Sequence, residues 1–296
     1  MTDKIYANLL DIPVVGPGSQ PAEEDDDNFD FIGSPGEMPV FRPPVLPEPE
    51  EVQDLREGMA MLTQLLASLE GYRAGEPAVV VDISQLDPDN IDLVNQVLNE
   101  GEVSVVYEGD TRVQIQESVL TGIWRVRTTA PDGEILNDVI EIADIPSIVT
   151  QKAFAEASAL DTDMSALPPG VLNAPSLLVE IDEKMREWQP GDPPHVINLT
   201  LLPLSPEDLT FLGARLGVGP VTVLSRGYGN CRVGSTAKQN VWWVKFYNSE
   251  DSLILNTIEI VDVPEVAKAA PEDLADSAER LREILQVYGL EAPSAG

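Results

Sequence analysis

The residues best suited to carry chemistry in this chain lie in the turn-forming stretch YGNCR, residues 228–232. Here Cys231, the only cysteine, is followed by Arg232, and a guanidinium beside a thiol can lower its pKa and favour the reactive thiolate. No histidine is near in sequence, because the lone His195 begins a different predicted strand. Two interpretations therefore stay open: a buried cysteine that acts as a small hydrophobic residue, or a thiol used with a partner.

Other reaction centres are not indicated by the sequence. A single cysteine cannot form an intrachain disulfide, and one cysteine with one histidine cannot build a Cys/His zinc site. The phosphate-binding GxxxxGK[ST], the dinucleotide-binding GxGxxG, the nucleophile elbow and the zinc motif HExxH are all missing. We predict a protein that is not an enzyme, with no catalytic residue, no metal ligand, no cofactor and no small-molecule substrate.

Two pairs of carboxylates close two predicted strands: Glu141 with Asp144, and Glu259 with Asp262. Residues three apart on a strand point to opposite faces, so neither pair forms an acid/base couple by spacing alone. Each pair precedes a helix that starts near a proline. The pattern favours a structural role in capping that helix.

Trp242 and Trp243 are adjacent on a predicted strand, so their side chains must point to opposite faces. Trp242 is predicted to lie in the core. Trp243 then lies on the opposite face, where an aromatic side chain is a candidate for contact with a partner. The equal alternative is that a helix or another part of the chain covers it.

The chain contains an internal repeat with an offset of 118 residues (Trp242 minus Trp124). The offset holds without a gap from 79 against 197 to 146 against 264, and IEIADIP (140–146) falls on IEIVDVP (258–264). Cys231 falls on Val113, which favours an apolar, inward-facing position for the cysteine. The repeat predicts two related domains, or one domain with pseudo-twofold symmetry.

Each repeat reads as helix, strand, helix, four-stranded meander and helix. Short turns join the meander strands, which must therefore run antiparallel. The second helix of the first repeat opens at Asp87 and Pro88, good N-terminal residues, and Gly101 stands where its C-terminal glycine cap belongs. We predict an α+β fold of two homologous repeats, each an antiparallel β-meander with helices over one face.

Five segments follow from composition. Residues 1–50 form an acidic, Pro/Gly-rich flexible arm, 51–160 the first repeat, 161–175 a linker, 176–290 the second repeat and 291–296 a tail. The arm contains an apolar, proline-rich segment around Phe41 and Arg42, a pattern typical of short recognition segments. This segment either docks on this protein or on a partner, or the arm is a merely solubilising tail.

The chain is strongly acidic, with 51 Asp and Glu against 18 Lys and Arg and a net charge of -33. This charge excludes nucleic acid and an anionic membrane surface as partners, because both attract cations. The acidity keeps the protein soluble, or it receives a basic segment of a partner. No window resembles a membrane span or a signal peptide, so we expect a cytoplasmic protein without membrane insertion.

The second repeat strongly resembles the HupH/HyaF (HoxQ) family of hydrogenase expression/formation proteins. The resemblance is carried by RGYGNCRV (226–233), ST (235–236), NVWWV (240–244), FYNS (246–249) and ILNTIE (254–259). The first repeat adds IQES (115–118) and GIWRV (122–126), and the arm adds GPGSQ (16–20) and FRPP (41–44).

The resemblance implies a chaperone for the maturation of an uptake [NiFe] hydrogenase. It implies binding of the iron–sulfur small-subunit precursor before its Tat-dependent export, together with companion accessory proteins, and it brings no catalytic residues. A redox or iron–sulfur-handling protein that uses Cys231 and a structural scaffold for other accessory proteins are the alternatives. Contacts with the partner are predicted at Tyr228, Asn230, Cys231, Arg232, Trp243, Phe41 and Arg42.

Overall fold

The computed structural model describes residues 46–130, 133–226 and 230–289. The strands are β1 Val79–Asp82, β2 Val103–Glu108, β3 Arg112–Glu117, β4 Ile123–Thr129, β5 Ile135–Ile142, β6 His195–Asn198, β7 Val221–Ser225, β8 Asn230–Ser235, β9 Val241–Tyr247 and β10 Leu253–Ile260. The helices are α1 Arg56–Gly71, α2 Pro88–Leu98, α3 Ser147–Lys152, α4 Ala174–Glu187, α5 Pro206–Leu216 and α6 Pro271–Val287, with short 3-10 turns at Leu199–Leu201 and Glu265–Ala267.

These strands form one antiparallel sheet in the order β1-β5-β4-β3-β2-β7-β8-β9-β10-β6. Five strands come from each repeat, and the two sets meet where β2 pairs with β7. The order on one side of this junction repeats on the other, so the two repeats share a single sheet. Of the two arrangements that the repeat allows, the structure has the one with pseudo-twofold symmetry, and its α+β class agrees with the prediction.

The helices begin as the sequence predicts. The Asp87 side chain accepts a hydrogen bond from the backbone N–H of Asn90 at the start of α2. At the equivalent start of α5, Ser205 and Asp208 form a reciprocal capping box. These contacts satisfy backbone donors that a helix N-terminus otherwise leaves without partners.

Gly101 does not end α2, contrary to the prediction. Asn99 occupies the C-terminal cap with a φ of 45°, a left-handed conformation that asparagine tolerates. Gly101 is required for a different reason, because a Cβ there would lie 2.3 Å from the backbone oxygen of Ser118. The equivalent Gly219 makes the same kind of close approach, since a Cβ there would lie 2.6 Å from the backbone oxygen of Thr236.

The core face of the sheet is marked by a row of paired residues that crosses six strands and is buried throughout. In strand order the row is Val126, Ile115, Val105, Val223, Val233 and Val244. Trp242 lies on this face, where Phe154 packs edge-on against it with ring centroids 5.0 Å apart. The helix that closes the first repeat is short and ends at Lys152, and the turns that follow place Phe154 on this ring.

The opposite face also carries helices, so the prediction that helices cover one face is wrong. Asn95 of α2 accepts a hydrogen bond from Arg125 on β4, and Gly213 of α5 lies against the ring of Trp243 on β9. β9 places Trp242 on one face and Trp243 on the other, so each face has a large aromatic ring that needs cover.

The predicted helix-capping role is confirmed for Glu141. Its two oxygens accept hydrogen bonds from the backbone N–H and the hydroxyl of Ser147, the first residue of α3, each at 2.9 Å. The other three carboxylates bond elsewhere: Asp144 to Tyr72, Glu259 to Thr257 and Asp262 to the N–H of Val263.

Glu117 on the core face predicts a pH dependence of stability. Burial is the main cause that raises its pKa to about 7, and the negative charges of Asp273 and Glu102 act in the same direction. A hydrogen bond from the Gly122 N–H opposes this shift by stabilising the ionised form. The folded state then holds a proton that the unfolded state releases, so stability falls as pH rises from about 4.5 to about 7. The ionised form costs about 3 kcal/mol above that window.

We therefore compare Glu117→Gln with wild type at two pH values. We expect the variant's free energy of unfolding, relative to that of wild type, to be about 2 kcal/mol higher at pH 8 than at pH 5. Urea denaturation at both pH values measures this difference. Exposed Glu279→Gln is the matched control and shows no such difference. An equal effect of Glu117→Gln at both pH values would contradict a buried, protonated carboxyl.

Candidate partner-binding surface

Four of the seven residues predicted to contact a partner fall within the described part of the chain. Phe41, Arg42 and Tyr228 lie outside the described residues. Asn230, Cys231 and Arg232 start β8, and Trp243 lies on the neighbouring strand β9. The side chain of Asn230 donates to Asp251 at 2.9 Å and so links the start of β8 to the turn that precedes β10.

Cys231 lies on the core face and is 5% exposed, as its match to Val113 indicates. Burial raises the pKa of its thiol to about 12, and the charge of Glu259 adds to the shift. The thiol is therefore protonated at neutral pH. Arg232 does not activate it, because alternation along β8 places the guanidinium on the opposite face. This geometry favours the buried, unreactive cysteine.

Trp243 is only 9% exposed, so the structure favours the interpretation in which it is covered. Gly213 of α5 packs on one edge of its ring, and its indole N–H donates to Asn256. The Lys245 Nζ lies 5.0 Å from the ring centroid, in position for a cation–π contact. Trp243 therefore anchors α5 and supports Lys245. Arg232 on the neighbouring strand is exposed and Lys245 is half-buried.

A row of paired residues, all polar except Leu224, crosses the sheet opposite the core face. In paired order it runs Arg125, Gln116, Ser104, Leu224, Arg232 and Lys245. Cross-strand partners share a face, so Arg125, Arg232 and Lys245 point the same way, and alternation adds Arg127. We call these four cations and their surroundings the cationic face. It stands out because only 18 cationic side chains occur in a chain with a net charge of -33.

The first repeat neutralises its part of the cationic face. The Asp138 carboxylate on β5 accepts two hydrogen bonds from the Arg125 guanidinium, one of them at 2.6 Å. It also accepts one from Arg127 at 3.2 Å. The residue at the equivalent position of the second repeat is Asn256, which carries no charge. The second repeat therefore retains cations on this face but lacks the carboxylate that would balance them.

Lys245 and Arg232 are consequently adjacent cations without an ion-pair partner among the described residues. Burial, and to a smaller extent the charge of Arg232, lower the pKa of Lys245 to about 8. Sequence reasoning missed Lys245. The repeat offset aligns Lys245 with Arg127 and Asn256 with Asp138, so the sequence does show that the second repeat keeps the cation and loses the carboxylate. It does not show that Lys245 lies beside Arg232, because that depends on the register of β8 and β9.

A cleft of 380 Å³ lies on the cationic face of the first repeat. Polar residues line much of it: Asn95, Gln114, Gln116, Arg125 and Arg127. Its most buried donors are already engaged, since Gln116 donates to three backbone carbonyls and Arg125 pairs with Asp138. The cleft is therefore less suited to a charged ligand than the unpaired cations of the second repeat.

Two negative findings apply to the described residues. Their His, Cys, Asp and Glu side chains form no group of three or more that could hold a metal ion. No helix in these ranges combines the length and apolar character needed to cross a bilayer.

Comparison with known proteins identifies the family. The model of the HupH hydrogenase expression protein C-terminal conserved region matches twice, over residues 55–162 and 171–288. The chain belongs to the HupH family. The two matched segments correspond to the two halves of the sheet, so both halves of this HupH-family protein carry the conserved region.

Relatives in this family match along most of their length. The hydrogenase expression/formation protein HoxQ of Cupriavidus necator is 48% identical over 95% of this chain and 99% of its own. The hydrogenase-1 operon protein HyaF of Escherichia coli is 34% identical over 95% of this chain and 98% of its own. A solved structure of the hydrogenase expression protein HupH from Thiobacillus denitrificans is 35% identical, covers 40% of this chain and 97% of that chain, and has a TM-score of 0.36.

Proposed function

We propose that this protein is an accessory chaperone in the maturation of an uptake [NiFe] hydrogenase, and that it binds the iron–sulfur small-subunit precursor before Tat export. The observation that carries the proposal is the near full-length similarity to a protein named for hydrogenase expression and formation. Such names describe accessory proteins, which favours a non-catalytic role in the cytoplasm.

The charge of the chain supports this choice of partner. A twin-arginine leader is basic and apolar, and a protein with 51 acidic residues against 18 basic ones attracts it. Attraction of this kind raises the rate of encounter and disfavours other acidic proteins as partners. The binding would therefore weaken as salt concentration rises, since exposed charges are screened.

Removal of the gene from a host that makes the hydrogenase, followed by return of the gene on a plasmid, tests the proposal. We expect hydrogenase activity in air to fall without the gene and to return with it. Small-subunit precursor should accumulate in the deletion strain. Unchanged hydrogenase activity in air would contradict a role in maturation.

Cys231 gives a second prediction that separates a chaperone from a redox protein. We expect Cys231→Val to support full maturation within about twofold, because valine occupies the equivalent position of the first repeat and a thiol with a pKa of about 12 carries no thiolate chemistry at neutral pH.

Cys231→Ser is the companion variant. It should also support maturation, although its free energy of unfolding should fall by about 1 kcal/mol because the serine hydroxyl is buried at this position. Hydrogenase activity measured in the complemented deletion strain, with the folded state of each variant checked by circular dichroism, decides the matter. Loss of activity in both folded variants would favour the redox alternative.

A further inference from the structure

The second repeat presents two adjacent cations that nothing in the described chain neutralises. Arg232 is exposed, and its cross-strand neighbours Leu224 and Lys245 are half-buried, as is Tyr247 one step along β9. We call these four residues the Arg232–Lys245 patch. Burial is the main cause of the lowered pKa of Lys245, and repulsion by the like charge of Arg232 is the second cause. An anionic occupant would relieve that repulsion.

The chain itself contains an anionic segment of matching chemistry outside the described residues. Residues 23–31 read EEDDDNFDF, with six carboxylates and two phenylalanines. The carboxylates complement the two cations, and the aromatic rings complement the half-buried apolar surface of Leu224 and Tyr247. The same pattern of charge beside apolar surface therefore occurs on both sides of the contact.

The tether between this segment and the described chain is long enough. The described residues begin at Leu46, and Tyr288, directly after α6, donates to the Pro47 carbonyl at 3.1 Å, which fixes where the arm leaves the domain. From there to residue 27 the chain can span about 60 Å when extended. A domain of this size has a radius of gyration of about 20 Å, so the segment can reach either face of the sheet.

We propose that residues 23–31 of this chain dock on its own Arg232–Lys245 patch. The segment is tethered, so its local concentration is on the order of millimolar. A separate acidic protein at ordinary cellular concentration competes poorly against it. The contact covers the patch in the isolated protein and gives way only to a partner that binds the patch or the arm more tightly, and it forms whether or not a hydrogenase subunit is present.

Zero-length coupling of amines to carboxylates with a carbodiimide tests the contact in the purified full-length chain. We expect a cross-link between the Lys245 Nζ and a carboxylate of residues 23–27 or Asp30, found by mass spectrometry of the monomer. The link from Lys184 to Glu187, whose atoms are 2.6 Å apart, is the internal positive control. Formation of the control link without any link from Lys245 to the arm would overturn the proposal.

A mixture of unlabelled and ¹⁵N-labelled protein distinguishes the arm of the same molecule from that of a second copy. We expect the linked peptides to be uniformly light or uniformly heavy. Hybrid pairs at the statistical level would show that the occupant comes from another copy, which contradicts an intramolecular contact.

Charge removal supplies the matched variants. Replacement of the acids at 23–27 by Gln or Asn, in the full chain, should raise the labelling rate of Lys245 by an amine-reactive ester by about tenfold, because each unit of pKa is a factor of ten in free amine. The control removes five exposed carboxylates from α6: Glu272, Asp273, Asp276, Glu279 and Glu283. An equal rise in both variants would show a general charge effect and contradict docking.

Discussion

Replacement of Trp242 by alanine is expected to lower the free energy of unfolding by about 4 kcal/mol. The ring is completely buried between the sheet and Phe154. Its indole N–H donates to the Asp262 carbonyl at 3.1 Å. Alanine would leave a large cavity in the core face and a carbonyl without its partner, and both effects add.

Urea denaturation followed by circular dichroism measures this loss. Trp242→Phe is the matched variant, and it should cost about half as much, because it keeps an aromatic ring against Phe154 while losing the hydrogen bond. Leu201→Ala, at a side chain that is 79% exposed, should change stability by less than about 0.5 kcal/mol. A cost below about 1 kcal/mol for Trp242→Ala would contradict the packing described.

Asp208→Ala is expected to cost about 3 kcal/mol, because one side chain holds two helix N-termini together. One carboxylate oxygen accepts from the backbone N–H groups of Leu172, Asn173 and Ala174, at 2.8 to 2.9 Å, where α4 begins. The other accepts from Ser205 at the start of α5. Alanine would leave these donors without the carboxylate, in a position with no exposed surface.

The pH dependence of this contribution has a defined sign. Burial disfavours the charged form of Asp208, but the backbone donors outweigh burial and hold its pKa below the ordinary value. Its contribution is therefore present above about pH 4 and is lost as the pH falls through the lowered folded value.

Asp208→Asn is the natural control, since the equivalent residue of the first repeat is Asn90, whose side-chain oxygen accepts from the Gly58 N–H at 2.7 Å near the start of α1. It should cost about half as much as alanine at pH 7 in thermal or urea unfolding. A loss below about 1 kcal/mol for Asp208→Ala would show that α4 and α5 do not depend on this clamp.

The repeat made most of the fold predictable. An offset without a gap fixed which segments are equivalent, and the short turns correctly predicted a four-stranded antiparallel meander in each repeat. The match of Cys231 to Val113 correctly predicted a buried thiol. These features depend on residues that are near one another in sequence.

What could not be predicted depends on contacts between distant segments. Trp243 is buried because α5 crosses its face of the sheet, and no local pattern shows which face a helix will cover. Asp208 reads as the acid of a capping box, but its bonds to Leu172 and Ala174 join segments about 35 residues apart. The pairing of Arg232 with Lys245 likewise needed the register of two strands.

The two proposed interactions would use different charges on the same protein. The acidic surface suits the basic leader of a small-subunit precursor, whereas the Arg232–Lys245 patch suits the chain's own acidic arm. If the arm leaves the patch when a basic leader binds it, its carboxylates become available to that leader. Partner binding would then reduce the cross-link between Lys245 and the arm.

The most direct measurement is the recovery of the tagged full-length protein from cells that express the hydrogenase operon, with the bound proteins identified by mass spectrometry. We expect the small-subunit precursor, with its leader intact, to copurify with the tagged protein and to be released by high salt. A preparation in which the precursor is present in the lysate but absent from the purified protein would contradict the proposed function.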